Sequence, residues 1–290
     1  MAFLDEMNAQ TGLVDVAGAR DKGRDLHGVY DAAAPFPHIV IDDFLPRPII
    51  DMCLKEFDRS RTADQRVYDR AQERLKREFK PDDLSEGPRN LFYSFNSRPF
   101  IRVLENITGI KGLMPDPYYM GGGFHEISNG GHLSIHADFN HHKPLDVERR
   151  INVLIYLNDD WREEYGGTLE LWDNDMKGCV VSVVPEANRC VIFNTTSFSN
   201  HGNPHPVNHP EGRSRKSIAL YYYTATWSDE KRGHTTQFRT RPGTGDQKDW
   251  AVRREELVAD FIPPIVRRGL AKVKRTIGGR RAAPQQPTRQ

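Results

Sequence analysis

The sequence is poor in cysteine and has no long apolar run. Its three cysteines, Cys53, Cys179 and Cys190, are scattered and form no CxxC pair, so a disulfide framework is not expected. Two of them lie inside apolar runs, where a thiol serves as a small core residue. No stretch is long enough to cross a bilayer, and the first residues lack a secretory signal pattern. The default expectation is a reducing, cytoplasmic location.

An excess of charge of one sign is also missing. Lys and Arg number 41 against 40 Asp and Glu, giving a formal net charge of +1 over 290 residues. The molecule as a whole therefore has no field that would steer it to nucleic acid, and no nucleic-acid partner is expected. Hydrophobic residues make up 37% and charged residues 28%, as in a globular protein with polar extensions. No internal repeat is present, and no pattern indicates an oligomeric state.

The two ends of the chain are polar. Residues 1–36, rich in Gly, Ala and Asp, predict a loosely ordered N-terminal extension. Residues 228–290 predict a C-terminal extension, and within it residues 265–290 carry eight Arg and Lys and no acidic residue, which is typical of a frayed helix and a flexible basic tail. The main domain is expected to span 37–227, and residues 1–33 and 276–290 should be dispensable for chemistry.

Helical periodicity is confined to the first part of that domain. HIVIDDFL (38–45) predicts a short strand, and Pro48 then suits the first turn of a helix. The apolar residues of that helix follow at helical spacing: Ile49, Ile50, Cys53, Leu54 and Phe57. Residues 58–90 are dense in charge and favour a solvated helix plus loop. PFIRVLENIT predicts another helix, so helical support should lie within 46–107.

Short β-rich runs dominate between residues 122 and 227. They are GFHEI, HLSIHAD, INVLIYLN, TLELWD, CVVSVV, CVIFN and SIALYYYTA. Asn129-Gly130-Gly131 between the first two predicts a hairpin, because these residues tolerate the positive φ of tight turns. Six or seven strands without intervening helices favour a sandwich or barrel.

Three residues in this region could hold a metal ion together. His136 and Asp138 lie two apart on a predicted strand and project from one face, while His201 follows the strand CVIFN. Two histidines and one carboxylate suit non-haem Fe(II), because they leave positions open for a keto acid and O2; a buried zinc site would more often recruit cysteine. His-x-Asp alone is weak evidence, since His209-Pro-Glu211 has similar spacing, but that pair lies in a loop with no strand to aim its side chains.

A fourth element strengthens this interpretation. Arg215 follows His201 by 14 residues and opens the last strand. A guanidinium there can bind the distal carboxylate of 2-oxoglutarate with two N–H groups, and Ser217 shares its strand face. Lys216 and Arg213 are rival cations for the same role.

Taken together, these segments resemble the prolyl-4-hydroxylase-like branch of the Fe(II)/2-oxoglutarate oxygenases over roughly residues 37–227. The resemblance is carried by FPHIVIDDFLPRPII, GGGFHEISNGGHLSIHADFN, RRINVLIYLN, YGGTLELW and HGNPHP with RKSIALYYYT. It implies a mainly β fold with flanking helices, whose double-stranded β-helix (jelly-roll) core spans 122–227.

The resemblance also implies residue roles. Iron would be held by His136, Asp138 and His201, and the co-substrate by Arg215 with Ser217 beside it, with Asn152 in a supporting role toward the keto acid. Many relatives have a tyrosine about ten residues before the first ligand, where this chain reads His125-Glu126-Ile127. The implied reaction hydroxylates a C–H bond with O2 and releases succinate and CO2, with ascorbate as an optional reductant.

Two other classes of function remain open at this point. One is a binding module that keeps the barrel but not turnover, and the other is a cupin-like metalloprotein that uses no keto acid. For an enzyme, the substrate would be a protein side chain of the prolyl type or a small molecule. The loop 139–150, with His141 and His142, and the segment 58–90 are candidates to cover the open face. Trp172 and the run Tyr221–Tyr223 could line a pocket or belong to the core.

Overall fold

The computed structural model describes residues 1–59, 66–228, 230–231 and 233–250. Residues 1–248 form one compact unit, and residues 249–290 are assigned to a second. The predicted frayed helix and basic tail at 265–290 lie outside the described residues. Residues 276–290, expected to be dispensable for chemistry, also lie outside the described residues.

The unit contains four α-helices and thirteen strands among its described residues. The helices are α1 (His27–Asp31), α2 (Arg47–Arg59), α3 (Glu86–Phe95) and α4 (Arg98–Thr108). The strands are β1 (His38–Ile41), β2 (Arg66–Arg70), β3 (Glu73–Phe79), β4 (Met114–Pro115), β5 (Gly123–Ala137), β6 (His141–His142), β7 (Val147–Tyr156), β8 (Leu169–Trp172), β9 (Cys179–Val183), β10 (Cys190–Asn194), β11 (His201–Asn203), β12 (Arg215–Thr224) and β13 (Gln237–Phe238).

The strands form one curled antiparallel sheet in the order β1-β10-β7-β12-β5-β11-β8-β9. The long strand β5 takes part in two stretches of this order. Its first half, residues 123–127, pairs with β12, whereas its second half pairs with β11 at His136 and Leu133. A strand shared in this way lets the sheet fold back on itself, so the predicted jelly-roll core is confirmed.

The helices pack on the outer face of the sheet. In α4, Phe100, Val103, Leu104 and Ile107 form a fully buried stripe at helical spacing, and Gly109 ends the helix with φ +71°. The predicted helix after Pro48 is confirmed as α2, and it buries Ile49, Ile50 and Cys53 completely. These residues meet the outward side chains of the sheet, such as Ile151 of β7 and Leu220 of β12, in one hydrophobic core.

A second, smaller core lies inside the curled sheet. It contains the inward residues Phe36, Tyr156, Leu169, Leu171, Val183, Val191 and Phe193. Because inward and outward side chains alternate along a strand, the sheet separates this inner cluster from the helix side. The inner cluster borders the predicted metal ligands.

The expectation of a loosely ordered segment at residues 1–36 is wrong. Leu4, Met7 and Tyr30 are at most 2% exposed and belong to the main core. The backbone N–H groups of Phe3 and Leu4 also donate to the carbonyls of Asp43 and Phe44. These apolar residues are too widely spaced to produce a periodic pattern, and their partners come from distant parts of the chain.

The predicted helix and loop at 58–90 is also largely wrong for the described residues from 66 onward. Residues 66–79 form the β2–β3 hairpin, and β3 pairs with β5 from Phe124 to Leu133. This pairing explains why Asn129-Gly130-Gly131 makes no hairpin: Arg74 pairs with His132 and Lys76 with Ile127, so residues 128–131 bulge out of a continuous strand.

The C-terminal extension predicted for 228–290 contributes to the sheet. In β13, Gln237 and Phe238 pair with Ala137 and His136 of β5. All three cysteines are free; Cys53 and Cys190 are buried and Cys179 is exposed. Within the described part of the chain, no helix combines the length and apolar character that crossing a membrane requires.

Candidate metal centre

The three predicted metal ligands come together at the second half of β5. His136 on this strand lies directly opposite His201 of β11, and Asp138 follows β5 immediately. Their candidate ligand atoms all lie within 4.8 Å of one another, and all three residues are buried. Asp138 Oδ1 is 3.5 Å from His136 Nε2, and Asp138 Oδ2 is 3.4 Å from His201 Nε2.

Backbone carbonyls orient both imidazole rings. His136 Nδ1 lies 2.9 Å from the Ser134 carbonyl oxygen, and His201 Nδ1 lies 2.9 Å from that of Ser199. A carbonyl only accepts hydrogen bonds, so each Nδ1 carries the proton and each Nε2 presents its lone pair to the shared space. Burial and the neighbouring His136 lower the pKa of His201, which favours the neutral, ligating form. The donor set therefore fits a divalent cation.

The carboxylate of Asp138 is held by two further buried side chains. Arg149 Nη2 donates to Asp138 Oδ2 at 2.9 Å, and Asn152 Nδ2 donates to the same oxygen at 2.7 Å. Burial opposes ionisation of Asp138, but the charge of Arg149 and contacts with the two histidines hold its pKa well below the ordinary range. Asp138 is thus an anion. Asn152 contacts this carboxylate and Arg149, and its supporting role toward the keto acid stays a prediction.

Arg149 was missed by the sequence reasoning, and the strand geometry explains why. Strict alternation from inward-facing Asn152 would place Arg150, not Arg149, inside the sheet. In the structure Tyr222 pairs with Ile151 and Tyr223 with Arg149, so β7 bulges at Arg150 and turns Arg149 inward. Nothing in the sequence marks this bulge.

Aromatic rings shield the two histidines from water. The Phe193 ring lies 4.6 Å from the His201 ring, and the Phe238 ring lies 5.5 Å from the His136 ring, centroid to centroid. Phe238 comes from β13 and is in turn covered by the Arg70 guanidinium at 4.9 Å. Residues outside the predicted domain therefore complete the wall of the site.

Arg215 lies inside the sheet with its charge unmatched. It is 5% exposed; its Nε donates to the Gly167 carbonyl at 2.7 Å and its Nη2 to the Tyr156 hydroxyl at 3.3 Å. No carboxylate among the described side chains forms an ion pair with it. Burial lowers its pKa, and Tyr156 only partly offsets this. The remaining N–H groups are suited to an anion that enters from outside.

The rival cations point elsewhere. Lys216 Nζ lies 5.9 Å from the Phe57 ring of α2, on the helix side of the sheet. Arg213 donates through Nε to His209 Nε2 at 2.9 Å and through Nη2 to the Asp159 carbonyl at 3.1 Å. His209 itself packs between the rings of Trp161 and Tyr165, away from the three clustered ligands.

A row of three inward side chains lies next to Arg215. Ser217 of β12 pairs with His125 of β5 on one side and with Tyr156 of β7 on the other, and directly paired residues share a face. His125 Nε2 lies 3.0 Å from the Gly121 carbonyl oxygen. Burial, reinforced by the Lys76 and Arg215 charges, lowers the pKa of His125 well below its usual value. His125 and Tyr156 were not assigned roles from the sequence.

The other candidate contact residues are packed rather than solvated. The His141 ring stacks on Trp227 at 3.9 Å, and fully buried His142 has its Nε2 3.3 Å from Asp116 Oδ1. Trp172 is buried and donates to Glu170. The run Tyr221–Tyr223 divides: Tyr222 donates to the Phe95 carbonyl on the helix side, whereas the Tyr221 ring lies 3.6 Å from the Arg149 guanidinium.

Comparison with known proteins agrees with this geometry. Residues 122–223 match the profile of the 2OG-Fe(II) oxygenase superfamily, a range that contains all three clustered ligands and Arg215. This part of the chain is a 2OG-Fe(II) oxygenase domain. The chain is also 35% identical over 79 residues to prolyl 3-hydroxylase OGFOD1 of Mus musculus. That match covers 26% of this chain and only 14% of the mouse protein.

Solved structures share the fold of the oxygenase domain. A Trichoplax adhaerens prolyl hydroxylase, solved with a hypoxia inducible factor peptide, has TM-score 0.52 and 18% identity, covering 71% of this chain and 91% of its own. HygX from Streptomyces hygroscopicus, with nickel and 2-oxoglutarate bound, has TM-score 0.51 and 10% identity, covering 75% and 96%. The epimerase SnoN of nogalamycin biosynthesis has TM-score 0.50 and 13% identity, covering 80% and 93%. The predicted likeness to prolyl-hydroxylase-like oxygenases is confirmed.

Proposed function

We propose that this protein is a Fe(II)- and 2-oxoglutarate-dependent dioxygenase that hydroxylates a C–H bond of a prolyl-type or small-molecule substrate. The observation that carries the proposal is the convergence of His136, Asp138 and His201, with both Nε2 lone pairs facing one carboxylate. Two imidazoles and one carboxylate on one side of an ion form the donor set of non-haem Fe(II) oxygenases.

The chain's own groups prepare this site before any metal arrives. The Ser134 and Ser199 carbonyls fix the tautomers of the two histidines, and Arg149 keeps Asp138 ionised. No proton then has to leave a ligand when the cation binds. Bound iron supplies the oxidation chemistry, which couples decarboxylation of the keto acid to hydroxylation.

Arg215 supplies the second recognition element. Its buried charge has no acidic partner among the described residues, so a dicarboxylate that reaches it replaces lost hydration with charge-assisted hydrogen bonds. Tyr156 and Ser217 add hydroxyl groups on the same inner face. A keto acid whose other end reaches the metal ligands would satisfy both sites at once. This favours a 2-oxoglutarate-using enzyme over a cupin-like metalloprotein.

The substrate class follows from the relatives. The mouse relative is named as a prolyl 3-hydroxylase, and one structure with the same fold was solved with a peptide. Others with this fold are HygX and SnoN, the latter from nogalamycin biosynthesis. We therefore propose prolyl peptides and small molecules as the two panels to screen for stimulation of 2-oxoglutarate consumption, with O2 as the other reactant.

The test is metal titration followed by a succinate assay. Single alanine substitutions of His136, Asp138 and His201 should each weaken Fe(II) binding and abolish 2-oxoglutarate turnover. His209→Ala is the matched control, because this buried histidine contacts Arg213 and aromatic rings instead. Full activity in His201→Ala would refute the assignment. Tight Fe(II) binding without succinate formation would indicate a binding module.

A further inference from the structure

We infer that Arg149 and Asn152 reserve one oxygen of Asp138, so that this carboxylate binds the metal through its other oxygen alone. The inference rests on the proposed function and adds a positioning role for two residues that hydrogen-bond to a proposed metal ligand. Its chemical consequence is the number of metal positions left open for 2-oxoglutarate and O2.

The two oxygens of Asp138 have different surroundings. Oδ2 accepts from Arg149 Nη2 at 2.9 Å and from Asn152 Nδ2 at 2.7 Å, and it also lies 3.4 Å from His201 Nε2. Oδ1 has one close polar neighbour among the described contacts, His136 Nε2 at 3.5 Å. Oδ2 thus already accepts two short hydrogen bonds, one from a charged guanidinium and one from a side-chain amide. Oδ1 is therefore the oxygen available to a cation.

The two donors are themselves fixed. Asn152 Oδ1 accepts from Arg149 Nε at 3.0 Å and Nη2 at 2.7 Å, which sets the amide so that its nitrogen faces Asp138. The Arg149 guanidinium lies between the Tyr221 ring at 3.6 Å and the Phe139 ring at 4.5 Å. Arg149 is 1% exposed and Asn152 2%. A clamp without room to turn can hold a carboxylate in one orientation.

The number of oxygens that Asp138 gives to the metal decides how many positions stay open for the other reactants. A six-coordinate ion held by two histidines and one carboxylate oxygen keeps three positions for a two-point keto-acid chelate and O2. If both oxygens of Asp138 bound, only two positions would remain. The keto acid would then fill both, and O2 could bind only by displacing an oxygen of Asp138.

A simpler role for Arg149 is to neutralise the buried carboxylate. Asn152 separates the two explanations, because it carries no charge and still donates to Oδ2. Asn152→Leu keeps the Arg149–Asp138 ion pair and removes only one donor and the amide that orients the guanidinium. A neutralising role predicts little effect of this change on coordination, whereas the clamp predicts a new carboxylate mode.

The experiment counts water molecules on bound Mn(II) by water-proton relaxation and also measures Fe(II) affinity and succinate release. The unaltered protein should show three exchangeable waters. Asn152→Leu and Arg149→Met should show two, with Fe(II) affinity or succinate release reduced about 10- to 100-fold, the usual range for changes to hydrogen-bond partners of metal ligands. Arg150→Met is the matched control, because Arg150 contacts Thr224 instead of Asp138; it should retain three waters.

Three waters on Mn(II) bound to Asn152→Leu would overturn the inference. If Arg149→Met does not fold, Asn152→Leu decides alone. Failure of the proposed function is recognisable separately: the unaltered protein would not bind Mn(II), or binding would survive His136→Ala, and the inference would fall with it. If the unaltered protein binds metal and keto acid as proposed but the water count is the same in Asn152→Leu, only the role given to Arg149 and Asn152 would be overturned.

Discussion

Replacing Arg215 by methionine should strongly weaken co-substrate binding but leave the stability of the protein without co-substrate nearly unchanged. The side chain is buried, and its Nη groups are engaged only by the Tyr156 hydroxyl among the described contacts. Two charge-assisted hydrogen bonds to a carboxylate contribute about 1.5–3 kcal/mol each. At about 1.4 kcal/mol per factor of ten, their loss should raise the KM for 2-oxoglutarate roughly 100- to 10,000-fold.

The free energy of unfolding should respond differently. A buried cation without an acid partner opposes folding, and burial lowers the pKa of Arg215 for the same reason. Methionine removes that cost but leaves the Gly167 carbonyl without its donor, a loss of about 1–3 kcal/mol. We therefore expect the melting temperature of Arg215→Met, measured without ligand, to stay near that of the unaltered protein.

Two assays check this prediction together. Succinate release at varied 2-oxoglutarate gives the KM, and a thermal-shift titration should show that 2-oxoglutarate raises the melting temperature only when Arg215 is present. Lys216→Met is the matched control, since that ammonium lies over Phe57 on the other side of the sheet. An equal rise in KM for both variants, or a larger one for Lys216→Met, would refute the strand facing described for β12.

Two further predictions concern packing. Because Leu4 is fully buried, Leu4→Ala should lower the free energy of unfolding, measured by urea titration, by about 2–5 kcal/mol. Leu13→Ala, at a 57% exposed position, should leave it unchanged, and equal effects of the two changes would contradict the packing of the N-terminal segment. A Cβ at Gly202 would lie 2.8 and 2.9 Å from two carbonyl oxygens of β5, so Gly202→Ala should displace His201 and weaken metal binding. Gly178→Ala, where a Cβ would meet open space, should leave metal binding unchanged. Unaltered binding in Gly202→Ala would contradict the β5–β11 contact.

The clustering of His136, Asp138 and His201 could be predicted from the sequence because its signal is local. His136 and Asp138 share a face through the period of two in a strand, and both His201 and Arg215 adjoin strands with clear apolar patterns. Asn152 was found as a site residue, but its partner could not be. That partner is Arg149, and only the bulge at Arg150 turns it inward.

The errors in the fold have a common physical origin. The segment Asn129-Gly130-Gly131 has the composition of a hairpin turn, but pairing with β3 keeps β5 continuous and converts it into a bulge. Leu4 and Tyr30 lie in polar surroundings and reach the core through contacts distant in sequence. In each case tertiary partners, which local composition does not contain, decided the outcome.

The short strand β13 bears on how the oxygenase domain can be isolated. It lies on the free edge of β5 beyond the end of β3, where it covers backbone groups at His136 and Ala137. A fragment limited to residues 122–223 would lose both neighbours and expose that whole edge of β5 to other chains. Unprotected edges of this kind recruit further strands, so we expect such a fragment to aggregate even though it contains every proposed metal ligand.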